Sequence, residues 1–533
     1  MKRIPPLAPS LALLLAALLG AAPARAQTKL EGEYQFQVDL RKQDRFYEWD
    51  FDSNNNDTFN QVQLRLFSAP SPGIEAFLRT EAEWNSGSNH NARPRLQYRD
   101  AHLRFRREFG RRGVDTYLFS RQNRYWVENH LIQAVQDGPM GNYGNGQGIR
   151  IDTWGFAGLH TALVYSDFSS PCLGQSSSPF GTTRCDSVRS GLTDDGYVAR
   201  VWGPFLKDKL RAGFTYNRKN EREEGDRSQD LQFTEVYAAD LRATLRDVDY
   251  RIEIARGREN ILTGRVHRGE LPADALQWHL GRFSLAHPQA ALPQDMILKA
   301  EARSFRLGTS RLGYFNAAPT FWILGPQFRN QLGDGNNDEH GLALNTWYLL
   351  PTRAITLTTN YVQYQKEVFQ QRKVRELYEE MYTEYVNGFT TKFAYRRRRT
   401  EDFNPGTQET GLTKNDDLFG ELVVENTLAW LRVQGRVKDL GTPFRKDLMS
   451  IETSVNVSHS VKIYNRYTFA NDPGRLRKGM FTELQYRPTG NVELFLAYGP
   501  FWIGSGSNPV FEGNLEGSGD QRDLLRLLLK GNF

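Results

Sequence analysis

A strict alternation of apolar and polar side chains is the feature that most constrains this chain. Between Glu33 and Arg41 every second residue is apolar, in the run EYQFQVDLR. Successive side chains of a β-strand point to opposite faces, so this pattern predicts a strand with one apolar and one polar face. The same pattern returns over residues 62–66, 74–84 and 389–396. We therefore expect an all-β protein whose strands separate an apolar surface from water.

The connections between these segments alternate in length. Short turns occur at APSPG (69–73), LPTR (350–353), VNG (386–388) and PTGN (488–491). Long polar stretches occur at 45–60, 126–146, 168–191, 308–339, 399–416 and 504–521. Short turns at one end and long loops at the other are typical of transmembrane barrels, with the turns in the periplasm. The sequence predicts one antiparallel up-and-down transmembrane β-barrel of about 24 strands, with both termini periplasmic.

The strand count depends on the segment VRELYEEMYTEYV (374–386), whose apolar residues also fit one face of a helix. As a loop helix it would lower the count to about 22, still within the known range. We favour a strand, because a pattern of strand, short turn and strand repeats from here onward, as a meander barrel requires. No linker-like composition marks a second domain, and no plug domain is predicted.

The N-terminus predicts a cleaved secretory signal peptide. Lys2 and Arg3 precede an apolar run over 11–22, and Ala24-Arg25-Ala26 has the small-x-small form of a cleavage site. These features assign 1–26 to the signal peptide and 27–533 to the barrel. The apolar run is shorter than the roughly 20 residues that a membrane-spanning helix needs. No comparable run follows and the mean hydropathy is −0.60, which excludes a helical membrane protein.

The C-terminal run DLLRLLLKGNF places Leu525, Leu527, Leu529 and Phe533 on one face, and Gly531 interrupts that face. This ending resembles the last strand of Gram-negative outer-membrane β-barrels, in which a terminal aromatic residue is the signal that the barrel-assembly machinery reads. The Arg-rich meander is also similar to the alginate-export and porin groups. The resemblance implies a place in the cell outer membrane among its lipids and lipopolysaccharide, and assembly through Phe533.

In such a barrel the apolar faces contact lipid and the polar faces line the lumen. The predicted lumen-lining cations are Arg41, Arg65, Arg79, Arg104, Arg106, Lys392, Arg396, Arg432, Arg436, Lys462 and Arg466, and the predicted lumenal acids include Glu75, Glu81 and Glu83. Rings of Arg or Lys favour anions, but each ion could also serve simply to pair with a neighbour in a wet interior. A barrel this wide cannot be filled by side chains, so either long loops fold inward or another molecule occupies it.

Three further features fall outside the regular strands. Cys172 and Cys185 lie close together in a polar stretch, which in an oxidising compartment favours a loop disulfide. The triplets Asp50, Asp52, Asn54 and Asp334, Asn336, Asp338 have part of the spacing of a calcium loop, but neither has its glycine, and acidic extracellular loops are the alternative. The run 396–399 consists of four arginines at the point where a strand is expected to emerge outside the membrane. These arginines could bind phosphates of lipopolysaccharide or an acidic substrate. The alternative is a solvated strand end without a ligand.

These observations predict a passive channel for hydrophilic, preferably anionic, solutes. Two alternatives remain open: an export pore for an acidic polysaccharide, and a sheath around a periplasmic partner such as a multihaem cytochrome. No catalytic motif is present, and we expect neither an enzyme nor a bound cofactor. The formal net charge is +6, of which the signal peptide carries three charges, and the remainder is too small to indicate nucleic-acid binding.

Overall fold

The protein is described here from a computed structural model. The structure describes residues 27–43, 46–48, 58–85, 95–120, 122, 124, 127, 147–167, 195–206, 209–221, 232–246, 248–259, 295–303, 305–309, 311–330, 338–351, 354–366, 371–404, 407, 409–472, 475–500 and 524–533. The first 26 residues, predicted to be a signal peptide, lie outside this range, as do Asp50, Asp52, Asn54, Cys172, Cys185, Asp334 and Asn336. The described residues contain no helix, and therefore no helix that is long and apolar enough to cross a membrane.

The described chain forms 26 strand segments. The first half contains β1 (Gln27–Gln43), β2 (Phe46–Glu48), β3 (Thr58–Ser71), β4 (Ile74–Asn85), β5 (Arg95–Phe109), β6 (Arg112–Ser120), β7 (Gln147–Phe156), β8 (Leu159–Asp167), β9 (Asp195–Phe205), β10 (Leu210–Glu221), β11 (Gln232–Leu245), β12 (Val248–Glu259) and β13 (Met296–Arg303). The second half contains β14 (Phe305–Thr309), β15 (Gly313–Leu324), β16 (Glu339–Leu349), β17 (Ile355–Lys366), β18 (Arg372–Val386), β19 (Phe389–Asn404), β20 (Glu409–Glu425), β21 (Ala429–Lys438), β22 (Lys446–Asn456), β23 (Val461–Asp472), β24 (Arg475–Thr489), β25 (Val492–Gly499) and β26 (Leu524–Asn532).

Neighbouring strands pair antiparallel around one closed sheet. β2 extends the end of β1, and β13 and β14 share one position beside β15, which leaves a barrel of 24 strands. The barrel closes where β1 pairs with β26, from Glu33 opposite Asn532 to Arg41 opposite Leu524. The predicted all-β, up-and-down architecture and the count of 24 are confirmed. The ambiguous segment 374–386 is part of β18, so the helical alternative with about 22 strands is wrong.

The antiparallel order puts the two kinds of connection at opposite ends of the barrel. One end, here called the turn end, carries connections as short as 72–73, 110–111 and 387–388, together with the start of β1 and the end of β26. The other, the loop end, carries the longest connections, including 121–146, 168–194 and 260–295. At the turn end, Phe533 and Gly32 exchange backbone hydrogen bonds of 2.7 and 2.9 Å, and the Phe533 ring covers Gly32.

Two stretches predicted as long loops contain strands instead. The stretch 308–339 contains the 12-residue strand β15, whose Pro319 faces outward within the ladder, opposite Leu344. Proline weakens the sequence signal for a strand because it lacks an N–H donor. Likewise, β19 and β20 continue as a paired ribbon through most of 399–416. Both faces of this ribbon carry charged residues, so the alternation that marks a strand in lipid is missing there.

The short turn between β18 and β19 requires a glycine at position 388. Gly388 links β18 to β19 with φ of +83°, and its carbonyl accepts a 2.6 Å hydrogen bond from Glu425 N on β20. A Cβ at this position would collide with the Glu425 carbonyl oxygen. Only glycine combines the left-handed conformation with this close approach. The turn therefore fixes the register of three strands at the turn end.

Candidate functional site

The inner face of the barrel is the candidate functional site, and the burial of long side chains identifies it. Arg200 of β9 and Arg466 of β23 are 2% and 1% exposed, although both side chains are long and charged. Large apolar residues on the other face, such as Phe393 and Met480, are more than half exposed. Long polar side chains can be covered only on the concave side, where neighbouring strands crowd them. The convex face is therefore apolar and the inner face polar.

The strand register places every predicted lumenal residue on this inner face. The described inner-face residues among the predictions are Arg65, Arg79, Arg104, Arg106, Lys392, Arg396, Arg432, Arg436, Lys462, Arg466, Glu75 and Glu81. The backbones of Arg41 and Glu83 follow the same alternation, and their side chains lie outside the described part. Asp39, opposite Arg526 at the closing seam, also faces inward.

Most of these cations form ion pairs across strands. Arg104 donates to Asp115 through Nε at 3.0 Å and Nη2 at 2.6 Å, and to Glu75 through Nη1 at 2.9 Å. Arg396 donates two hydrogen bonds of 2.9 and 3.0 Å to Glu376. Such pairs hold each guanidinium against the wall, and they leave less net charge on the inner face than the arginine content suggests.

Glu452 is the carboxylate at the centre of an inner-face network in the second half of the barrel. It accepts hydrogen bonds from Arg432 at 2.7 Å, from Arg466 at 2.9 Å and from the Tyr464 hydroxyl at 3.0 Å. Both Glu452 and Arg466 are buried, and Trp430 lies 5.1 Å from the Arg432 guanidinium. This network joins three neighbouring strands, β21 to β23, into one rigid section of wall.

Strands β9 to β12 carry inner-face residues that were not predicted from the sequence. Arg200 donates to Asp240 at 2.6 and 3.1 Å and to the Thr215 hydroxyl at 2.6 Å, and all three side chains are buried. Lys219 and Glu253 are buried on the same face. The signal that could have revealed them is the alternation in LRAGFTYNRKNE of β10, where polar residues recur at Arg211, Thr215, Asn217 and Lys219.

Two segments from the loop end fold onto the inner face of β5 to β13. In the first, Val127 packs with Phe119, Ala162, Val164 and Val198. In the second, Phe328 is fully buried in a cluster that includes Val236, Ala238, Ala255, Ile297 and Leu324. Because these segments occupy the lumenal side of the wall, they narrow the lumen. Of the two arrangements expected for so wide a barrel, inward-folded loops or a lumen occupied by another molecule, these segments correspond to the first.

The first inward segment presents a cation. Arg124 lies 4.3 Å from the Tyr117 ring and donates a 2.9 Å hydrogen bond to Gln122, while its own carbonyl accepts one from Arg150 at 3.1 Å. Within the described residues Arg124 has no carboxylate partner. Partial burial and the charges of Arg150 and Arg104 lower the pKa of Arg124, but an arginine stays protonated at neutral pH. A positive charge therefore sits on the narrowed side of the lumen.

The described residues hold no group of three potential metal ligands, and Asp338 is the one residue of the two calcium triplets that can be placed. It is buried at the start of β16, where its N–H approaches the Gly325 carbonyl oxygen at 3.4 Å. The two calcium triplets and the disulfide therefore stay predictions. The arginine run 396–399 lies within β19 and is divided between the two faces, Arg396 and Arg398 inward and Arg397 and Arg399 outward.

No family model matches the chain, and no curated protein matches it. A structure of the E. coli P pilus tip assembly intermediate PapC-PapD-PapK-PapG superposes with a TM-score of 0.50 at 6% identity, over 94% of this chain and 60% of that one. The siderophore receptor PirA from Pseudomonas aeruginosa has a TM-score of 0.44 at 9% identity, over 96% of this chain and 81% of that one. These likenesses concern the fold alone. With its closed 24-strand antiparallel sheet and apolar outer face, the chain has the fold of an outer-membrane β-barrel.

Proposed function

We propose that the barrel is a passive channel for hydrophilic solutes, with a preference for anions. The observation that carries this proposal is the inner face: a polar wall whose charges are held in cross-strand pairs, together with Arg124 on an inward segment, which has no carboxylate partner among the residues that the structure describes. A wall of this kind stays hydrated, because its charged groups keep their remaining hydrogen-bonding capacity for water. A cation at a narrow place lowers the energy of a passing anion.

The pairing of the wall limits how strong the preference can be. Arg104, Arg396 and Arg432 each face a carboxylate, so their fields largely cancel at a distance. The expected selectivity is therefore modest and is set by Arg124 rather than by a full ring of arginines. A strongly positive constriction, which export of an acidic polysaccharide would use, is less well supported by this wall.

The test is the conductance of the protein extracted from outer membranes and inserted in a planar bilayer, with the reversal potential measured in a salt gradient. A stable conductance with moderate anion selectivity is expected. Block by an acidic oligosaccharide at low concentration would instead favour the export pore. A silent barrel would exclude the passive channel and favour a sheath around a periplasmic partner.

A further inference from the structure

The outer face of the barrel carries a row of like charges near the loop end. The register sets Arg375 of β18 opposite Arg399 of β19, and Arg399 opposite Lys414 of β20. Cations directly opposite each other on one face of a sheet repel and destabilise it. Arg375 and Lys414 are exposed, and neither has an acidic partner among the residues that the structure describes. The positive charge of this row is suited to binding an anion.

The acids near the row do not neutralise it. Asp416 lies 3.0 Å from Arg399 and 3.9 Å from Arg397, so one carboxylate is shared by two guanidinium groups. Glu379 and Glu401 also face outward on β18 and β19, but in the described structure neither forms an ion pair with these cations. With Lys373, which is opposite Glu401 in the register, five outward cations lie on these three adjacent strands, and Asp416 is the carboxylate that forms ion pairs with them in the described structure.

An apolar groove of about 1080 Å³ lies on the same outer face, nearer the middle of the barrel. Gly420 of β20 and Gly435 of β21 are opposite each other and form its floor, with Phe393 and Met449 on either side. Neither glycine has a positive φ, and a Cβ would meet nothing closer than 3.7 Å at either position. Backbone geometry and packing therefore do not require glycine here, and the missing side chains leave an open channel in the lipid-facing surface.

The distance between the groove and the cation row is similar to the length of a lipid from its headgroup along its acyl chain. Lys414 and Gly420 lie on one strand, six residues apart, which corresponds to roughly 20 Å of extended chain. The outward residues between them are Asp416, which pairs with Arg399, and Leu418, which is 43% exposed. This length is of the order of a fatty acyl chain, and the cations lie on the side nearer the loop end, at the border of the apolar surface.

We propose that the outer face of β18 to β21 binds a phosphorylated lipid of the outer leaflet. Its phosphate lies among Arg375, Arg399 and Lys414, and one acyl chain lies in the groove over Gly420 and Gly435. Guanidinium and ammonium groups both suit phosphate oxygens, and a bound phosphate relieves the repulsion within the row. A free phosphate ion would leave the groove unexplained, and a second copy of this chain would bring the same cations rather than an anion.

Native mass spectrometry of the detergent-solubilised, delipidated protein tests the proposal. The probes are dipalmitoyl phosphatidic acid, dipalmitoyl phosphatidylcholine and inorganic phosphate. Phosphatidic acid is expected to stay bound, and phosphatidylcholine with the same chains to dissociate. The double variant Arg375→Gln/Lys414→Gln should weaken retention of phosphatidic acid by about fivefold per cation removed. Gly435→Leu fills the groove and should also reduce retention.

The matched control is Arg107→Gln, which removes an exposed, outward-facing arginine at the turn end of β5 and should leave retention unchanged. Heat-modifiable electrophoretic mobility verifies that each variant is folded. Unchanged retention in the folded double variant overturns the proposal. Displacement of phosphatidic acid by an equal concentration of inorganic phosphate would identify a simple anion site and overturn the proposal that the site binds a lipid. A lipid-independent dimer that Gly435→Leu abolishes would assign the groove to a second copy and likewise overturn it.

Discussion

Arg526 of the last strand donates two hydrogen bonds of 2.7 Å to the carboxylate of Asp39 on the first strand. The two residues are 487 positions apart and directly opposite each other in the register that closes the barrel. Asp39 is buried, and Arg526 is about a quarter exposed. This pair is a polar contact that joins the first and last strands on the lumenal side of the seam.

Removal of one partner of this pair should weaken the seam. We expect Asp39→Ala to lower the free energy of unfolding in lipid vesicles by about 1–3 kcal/mol, because Arg526 loses a charge-assisted hydrogen bond to a buried acceptor. Arg526→Ala should have a similar effect. In a double-mutant cycle measured by urea unfolding, the double variant should be less destabilised than the sum of the single ones. Additive effects would show that the two side chains do not interact.

The Arg200–Asp240 pair should be the most sensitive ion pair in β9 to β12. Both side chains are 1% exposed, so Asp240→Ala leaves a buried charge uncompensated and should cost about 3–5 kcal/mol. The control is Asp447→Ala, which removes the exposed partner of Arg445 and should cost less than about 1 kcal/mol. Urea unfolding of the two variants side by side decides the matter, since equal losses would contradict the burial of Arg200. Arg200→Met/Asp240→Leu should recover most of the stability.

Gly388→Ala should destabilise the turn between β18 and β19. The substitution forces a Cβ into the left-handed region and against the Glu425 carbonyl, at a cost of about 1–3 kcal/mol. Gly435→Ala is the control, because its Cβ meets no atom within 4 Å and its φ is not positive. Unfolding midpoints in urea should fall for the first variant and hold or rise for the second. A fall of equal size in both would refute the conformational argument.

Phe328→Ala should open the lumen. Phe328 anchors the second inward segment in an apolar cluster, and truncation of a buried phenylalanine typically costs about 3–5 kcal/mol, enough to release a short segment. The single-channel conductance should rise, or switch between two levels. Phe444→Ala provides the comparison, because Phe444 is 70% exposed on the connection between β21 and β22. Conductance identical to that of the unmodified protein would mean that the segment does not limit ion flow.

Arg124→Gln should reduce the preference for anions. The substitution removes the one described cation on an inward segment that lacks a carboxylate partner in the structure, while Gln122 and Tyr117 remain to hold the segment. The reversal potential in a salt gradient should move toward zero, and Arg124→Lys should preserve it. Arg106→Gln, which removes an exposed cation paired with Glu108, is the control and should change little. An unaltered reversal potential in Arg124→Gln would place the source of selectivity elsewhere.

The architecture was largely predictable because each strand of a membrane barrel has an apolar face and a polar face, and this gives a visible alternation in the sequence. The alternation around Phe36 and Asp39 has to match the pleat of a strand between lipid and water, so the face of each residue follows from local pattern. Prediction failed where this constraint is absent. The ribbon of β19 and β20 beyond the apolar surface is polar on both sides, and Pro319 interrupts the expected signal inside β15.

By itself, then, the sequence determined that the strands form a meander, that their number is about 24, and on which face of its strand each charged residue lies, since these follow from patterns along the chain. The tertiary structure alone decided which charges pair, as Asp39 does with Arg526 and Arg200 with Asp240, because each pair joins residues whose meeting depends on closure and register. It also decided that Phe328 and Val127 fold onto the inner wall, and that Gly420 and Gly435 lie side by side beneath a row of cations. Those contacts cross strands, and no local pattern encodes them.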